Sequence, residues 1–273
     1  MLKDCLERVR TQGPLVHNIT NTVTMNDCAN MLLACGASPI MADDAEEVEE
    51  ITALCAALNI NIGTLNARTI PAMYRAGEKA GALHKPAVLD PVGAGASRLR
   101  TETALGLMKR VPFAVIRGNS SEIKTLVQGS GTTRGVDADA ADAVTEATLE
   151  RAVAFVRQAA GQLHTILAVT GPIDLVSDGE RTYVIRNGRP EMGRITGTGC
   201  QLSALLAAFL AANPDSPLEA AAAAVCTMGL AGQLAFDALQ PGEGNSTYRN
   251  RIIDAVYNMT GEQLEQGALY EIR

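Results

Sequence analysis

Short, nearly continuous apolar runs alternate along the chain with longer segments whose apolar residues recur every three or four positions. Leu15-Val16-His17-Asn18-Ile19 reads as a strand, and Met25, Cys28, Ala29 and Leu32 share one face of a helix that Gly36 stops. Ser38-Pro39-Ile40-Met41 predicts a short buried strand. Asp43, Asp44, Glu46 and Glu47 then load the first turn of a helix with the charge its dipole favours, and Val48, Ile51, Cys55 and Leu58 form its inner stripe. The alternation continues with a strand over 60–63, a helix over 69–82, a strand over 87–90, a helix over 101–110 and a strand over 113–116. Leu149, Ala152, Val153 and Val156 mark a further helix before the strand Ile166-Leu167-Ala168-Val169.

Repeated βα units with uninterrupted apolar strands predict a parallel sheet covered by helices on both faces. Asp174-Leu175-Val176 and Arg181-Thr182-Tyr183-Val184-Ile185 flank Asp178-Gly179, a hairpin signal that adds an antiparallel edge. From Cys200 onward the pattern is helical, over 202–212, 218–239 and 248–259. Residues 129–142 carry neither period and read as a surface excursion. With no repeat and no break in composition, residues 1–273 are expected to form one α/β domain: a central, mostly parallel sheet with helices on both faces.

Composition narrows the class. The 273 residues are 47% hydrophobic and 19% charged, too apolar for a disordered chain. The uninterrupted apolar stretch 204–212 falls short of the ~18–20 residues that span a bilayer, so no membrane span is expected. The first eight residues mix both charges, unlike a signal peptide, and point to a cytoplasmic protein. Cysteines at 5, 28, 35, 55, 200 and 226 show no CxxC spacing and read as reduced thiols packed as small hydrophobes. A net charge of −7, no basic cluster, 3% aromatic residues and no Trp argue against nucleic acid as a partner.

In open α/β sheets ligands collect beyond the carboxyl ends of the strands. The residues there are Asn18 and Asn21, Met41, Asn61 and Gly63, Asp90, Arg117 and Asn119, Thr170-Gly171, and Thr196-Gly197-Thr198-Gly199-Cys200. The last pentapeptide opens an apolar helix, where glycine turns and free backbone N–H groups attract phosphate; an ordinary helix entry with a threonine cap is the competing explanation. Neither GxxxxGK[ST] nor GxGxxG is present. Asn119-Ser120-Ser121-Glu122 fits a capping box. Glu122 could instead join Asp90 in holding a hydrated Mg²⁺. Arg117 either neutralises triphosphate charge in the same cleft or is a solvated surface arginine. His17 either shapes a pocket or is a structural hydrogen-bonder.

Taken together, several segments resemble those of hydroxyethylthiazole kinases, a family of the ribokinase-like superfamily. They are His17-Asn18-Ile19-Thr20-Asn21, Gly36-Ala37-Ser38-Pro39-Ile40-Met41, Asn61-Ile62-Gly63-Thr64-Leu65, Asp90-Pro91-Val92-Gly93-Ala94-Gly95-Ala96, Arg117-Gly118-Asn119-Ser120-Ser121-Glu122 and Gly197-Thr198-Gly199-Cys200. The resemblance implies transfer of the terminal phosphoryl of MgATP to the primary hydroxyl of 4-methyl-5-(2-hydroxyethyl)thiazole, a step in thiamine biosynthesis or salvage. It implies a homotrimer with the thiazole between subunits. Met41 and Gly197 would line the thiazole pocket, with Asn21 and Val23 nearby. Arg117, Thr170, Thr198 and Gly199 would meet ATP, Asp90 and Glu122 would serve the metal, and Cys200 would sit beside the reacting hydroxyl. Two other readings keep parts of this picture: a nucleotide-driven dehydratase of the same superfamily, whose members carry aspartate where this chain has Cys200, and a non-catalytic thiazole or nucleotide binder.

Overall fold

A computed structural model describes residues 1–128 and 143–273 of the chain, so the excursion expected over 129–142 lies outside the described residues. The apolar runs become strands β1 (Leu15–Ile19), β2 (Ser38–Ile40), β3 (Ala57–Asn61), β4 (Ala87–Asp90), β5 (Val115–Asn119), β6 (Ile166–Thr170), β7 (Asp174–Ser177), β8 (Thr182–Ile185) and β9 (Tyr270–Ile272). The described helices are α1 (Leu2–Gln12), α2 (Met25–Cys35), α3 (Val48–Leu54), α4 (Thr69–Ala82), α5 (Arg98–Arg110), α6 (Ser120–Gln128), α7 (Leu149–Leu163), α8 (Thr198–Ala212), α9 (Pro217–Asp237), α10 (Asn245–Asn258) and α11 (Gly261–Gly267).

The nine described strands form one sheet in the order β2-β1-β3-β4-β5-β6-β7-β8-β9. Pairing is parallel from β2 through β6 and antiparallel from β6 to β9. Because side chains alternate across a strand, each strand feeds two cores. Val16, Ala57, Val88, Val115 and Ala168 pack with α1, α2 and α8–α10, while Leu58, Ile60, Leu89, Ile116 and Leu167 pack with α4–α7 on the other face. That two-sided burial is why the strands read as continuous rather than alternating hydrophobics. The α/β architecture is as expected.

Helices α8 and α9 are apolar on all sides because they are enclosed on all sides. Helix α9 is long and apolar enough to cross a bilayer by length and composition, yet 83% of its most apolar window is buried within the protein. Ala220, Ala221, Ala222, Ala223 and Ala224 are each fully buried, so the alanine run packs inside the chain.

Several boundaries differ from the pattern's expectation. Helix α3 ends at Leu54, and Leu58 belongs to β3, which starts at Ala57 because Val16 and His17 pair with Ala57 and Leu58. The acidic run precedes α3 as a turn instead of forming its first turn. Strand β5 begins two residues late and ends at Asn119, since its pairing with β6 runs through Arg117↔Ala168 to Asn119↔Thr170. Arg117 and Asn119 are therefore strand residues. The short α11 and the edge strand β9 carry patterns too brief to stand out from their neighbours, and the amino-terminal helix α1, with Leu2, Cys5, Leu6 and Val9 on its buried face, is an element the pattern reading did not name. Five cysteines are buried and Cys200 is half-buried, all as free thiols.

Candidate active site

The carboxyl ends of β1, β3, β4, β5 and β6 converge on the first turn of α8. Gly197 is the N-cap at φ 90°, and a Cβ there would lie 2.3 Å from Thr24 Cγ2. Any other residue would meet both that collision and the ~1–2 kcal/mol cost of left-handed backbone. The cap is glycine, without a side-chain capping bond, so the threonine-cap explanation does not apply. Gly199 has ordinary helical geometry, and its missing side chain serves another purpose. A Cβ there would fall 2.4 Å from both Nη atoms of Arg117. The first α8 amide with a backbone acceptor is that of Gln201, which donates to Gly197 O at 2.9 Å. Among the described residues the amides of Thr198, Gly199 and Cys200 have no protein acceptor, so three donors stand free at the positive end of the helix dipole.

Asp90, at the end of β4, is fully buried beside that turn. Its Oδ2 accepts from Ser203 Oγ at 2.7 Å, from Asn61 Nδ2 at 2.9 Å and from Arg117 Nη1 at 3.5 Å. Its Oδ1 is buried with no partner. Burial raises the Asp90 carboxyl, against the opposing pull of Arg117, Ser203 and Asn61. Arg117 also donates from Nη2 to Thr170 Oγ1 at 2.7 Å, and with a side chain only 13% exposed it is not a solvated surface arginine.

Glu122 fulfils the capping-box expectation. Its Oε2 accepts from Asn119 N at 2.8 Å, and Asn119 Oδ1 accepts from Glu122 N at 2.9 Å. Its Oε1 accepts from Gly93 N at 2.8 Å, tying the 91–95 turn to α6. Burial, and next the Asp90 charge, push its carboxyl up to about 7. The structure thus places Asp90 and Glu122 as an interacting buried pair, and one residue satisfies a capping role while remaining electrostatically coupled to the other.

Cys200 Sγ accepts from Asn21 Nδ2 at 3.2 Å. The same amide donates to Asn61 Oδ1 at 3.0 Å, and Asn21 Oδ1 accepts from the backbone N and hydroxyl of Thr24, each at 3.1 Å. Burial, and next the negative Asp90, hold the Cys200 thiol above its ordinary value; Arg117 opposes them without prevailing. A thiol held above its ordinary value is protonated near neutral pH.

Met41, just past β2, is partly buried against the core that also receives Cys200. Val23 lies between Asn21 and Thr24 at the rim, 64% exposed. Neither touches the Asp90 cluster by a hydrogen bond. His17 is fully buried with both ring nitrogens engaged, Nδ1 to Thr52 Oγ1 and Nε2 to Ala42 O, each at 2.9 Å. Burial lowers its pKa, so it is a neutral structural hydrogen-bonder. Its bond to Ala42 nonetheless pegs the segment that carries Met41. Ser203 is the residue whose importance sequence pattern leaves out. Asn61 stands at a strand end, but nothing in an apolar helix marks Ser203. A groove of about 400 Å³ lined by Phe113, His164, Asp178 and Arg181 lies at the opposite, amino ends of the strands and includes none of these residues.

Residues 6–262 match the profile of the hydroxyethylthiazole kinase family. The chain is 56% identical over 271 residues to hydroxyethylthiazole kinase of Clostridium acetobutylicum, covering 99% of both chains. Its fold superimposes on the structure of the hydroxyethylthiazole kinase protein from Pyrococcus horikoshii OT3 with a TM-score of 0.87 at 40% identity, covering 100% of this chain and 98% of that one. A ribokinase-like superfamily protein of Enterococcus faecalis V583 shares the fold alone, with a TM-score of 0.63 at 15% identity over 97% of this chain and 95% of that one. Near full-length identity and a matching sheet place the chain in a phosphotransferase family with a ribokinase-like fold: it belongs to the hydroxyethylthiazole kinases.

Proposed function

We propose that the chain transfers the terminal phosphoryl of ATP to the primary hydroxyl of 4-methyl-5-(2-hydroxyethyl)thiazole, in thiamine biosynthesis or salvage. The observation that carries this reading is the free-amide turn of α8, with the Arg117 guanidinium against Gly199, buried Asp90 beneath and Cys200 at one side.

An incoming phosphate meets the amides of Thr198, Gly199 and Cys200 together with the Nη donors of Arg117, while Thr170 fixes the guanidinium from behind. Met41, Gly197 and Asn21 line the thiazole side, with Val23 at its rim. Phosphoryl transfer passes through a loose transition state in which positioning and charge neutralisation supply most of the barrier reduction. Cys200, held as a neutral thiol, orients the acceptor hydroxyl by hydrogen bonding; general-base assistance of ~10²–10⁴-fold is not required of it.

Asp90 fits a magnesium ion, and Glu122, whose two oxygens already accept from Gly93 N and Asn119 N, would add its charge beside a hydrated ion. The unpartnered Oδ1 of Asp90 is a free anionic ligand atom, and Mg²⁺ is commonly held by one or two carboxylates together with substrate phosphates. Among the described residues no group of three or more His, Cys, Asp or Glu forms a full protein cage, in keeping with an ion carried in by the nucleotide. Bound there, Mg²⁺ would neutralise phosphate charge. The assembly in this reading is a homotrimer with sites between subunits, working in the reducing cytoplasm that suits its free thiols.

The test is an ADP-release assay with the thiazole alcohol, with and without Mg²⁺, and mass analysis of the product. ADP and phosphorylated thiazole in equal amounts, dependent on Mg²⁺, are expected. No ADP overturns the kinase reading. ADP without phosphorylated thiazole favours a dehydratase, and ligand binding without turnover favours a sensor.

A further inference from the structure

Asp90 is held by one of its two oxygens. Ser203, Asn61 and Arg117 all donate to Oδ2, while Oδ1 is equally buried and has no partner. A carboxylate can turn about its Cβ–Cγ bond and exchange its oxygens unless donors select one. Here two neutral donors select the same one, from different elements: Asn61 at the end of β3 and Ser203 in α8.

Two further features make the selection informative. Ser203 lies in a helix otherwise apolar from Leu202 to Ala212, and it is fully buried. A buried helical serine ordinarily satisfies its hydroxyl on the carbonyl four residues back. That acceptor exists, Gly199 O at 3.3 Å, yet the shorter bond of 2.7 Å goes to Asp90. The bond also joins the end of β4 to α8 one turn below its free amides, so the carboxylate and the anion site keep one spacing. A buried carboxylate oxygen left unpaired is costly and uncommon, and in a folded protein it asks for a ligand.

We propose that Ser203 and Asn61 are positioning residues for the phosphoryl transfer: together they clamp Asp90 by Oδ2 and so present Oδ1, with its lone pairs free, to the cation and phosphates at the mouth of α8. This rests on the reading of Asp90 as a ligand for nucleotide-borne metal. Neither residue touches substrate; Ser203 acts through Asp90, as outer partners of metal-binding carboxylates do, and Asn61 does so while its Oδ1 also holds Asn21.

The experiment titrates Mn²⁺ into the full-length protein with ADP, following free Mn²⁺ by electron paramagnetic resonance, alongside steady-state kinetics with ATP, Mg²⁺ and the thiazole alcohol. Ser203→Ala is expected to weaken Mn²⁺ binding by ~10–100-fold and lower kcat comparably. The KM values for ATP and the alcohol should stay within ~3-fold, since no substrate contact is lost. Ser203→Thr, which restores a hydroxyl, should recover both properties. Asn61→Ala removes the clamp from the strand side and should reproduce the Mn²⁺ loss even if a helix variant folds poorly. A Ser203→Ala protein that binds Mn²⁺ like the parent overturns the clamp alone. A parent chain that binds no Mn²⁺ in the presence of ADP overturns the reading of Asp90 and the clamp with it.

Discussion

A thiol beside an anion site at a helix N-terminus invites the assignment of a general base, and the surroundings of Cys200 argue otherwise. Arg117 and the polar groups of Thr24 and Asn61 favour a thiolate, whereas burial and Asp90 disfavour it and prevail. Because its pKa lies above the free-thiol value, Cys200 stays protonated through neutral pH and begins to ionise only in alkali. In the proposed mechanism, Cys200→Ala therefore lowers kcat by only about tenfold, the loss of one orienting hydrogen bond and less than the ~10²–10⁴-fold of acid–base catalysis, and leaves ATP affinity unchanged. The pH profiles of parent and variant should run parallel from pH 6 to 9. An ionisation near neutrality that vanishes in the variant would restore Cys200 as the base. At this scale the site was partly legible in sequence. The Asn119–Glu122 capping box is local and its residues announce themselves. Ser203 is not legible, because its meaning comes from Asp90, 113 residues away in the chain.

Secondary-structure elements were legible wherever one period ran long enough to be unambiguous, as in α4 over 69–82 and β4 over 87–90. They were not where pairing decided the boundary. Leu58 continues a helical stripe in sequence, but in space it completes a parallel ladder with His17. The same neighbourhood supports the proposed substrate pocket. Strand β1 supplies His17, whose ring bridges Thr52 of α3 and the carbonyl of Ala42. Since Nε2 faces a carbonyl, which can only accept, it carries the proton, and Nδ1 accepts from the Thr52 hydroxyl; the Ala42 carbonyl sets the tautomer and Thr52 satisfies the remaining ring nitrogen. Removing that hydroxyl with Thr52→Val, of similar volume, leaves the buried Nδ1 without a donor and loosens the ring that pegs Ala42. Loss of about 1 kcal/mol of buried hydrogen bonding corresponds to about a fivefold rise in KM for the thiazole alcohol, with KM for ATP unchanged. Equal changes in both constants, or in neither, would show that the 41–44 segment is not held from α3.

The whole molecule adds what one chain leaves open. Its cores close on both faces of the sheet, yet large apolar side chains stay in solvent at several places, among them Val23 at 64% exposed, Leu33 at 56% and Leu54 at 71%. Val23 and Leu33 stand beside and on α2, and Leu54 ends α3, so they flank the edge strand β2 and the segment bearing Met41. Apolar exposure of this kind, at the rim of a substrate site, is what an interface between copies would cover. In the proposed trimer Val23 closes the thiazole pocket against a neighbour, which couples assembly to activity. Sedimentation of the purified protein should give three times the 28.6 kDa chain mass. Val23→Asp, whose charge is harmless in water but costly in a dry interface, should shift the protein to smaller species and lower activity in proportion. Specific activity of that variant should then rise with protein concentration as mass action restores the assembly. A monomeric variant with full activity at every concentration would confine the thiazole pocket to a single chain.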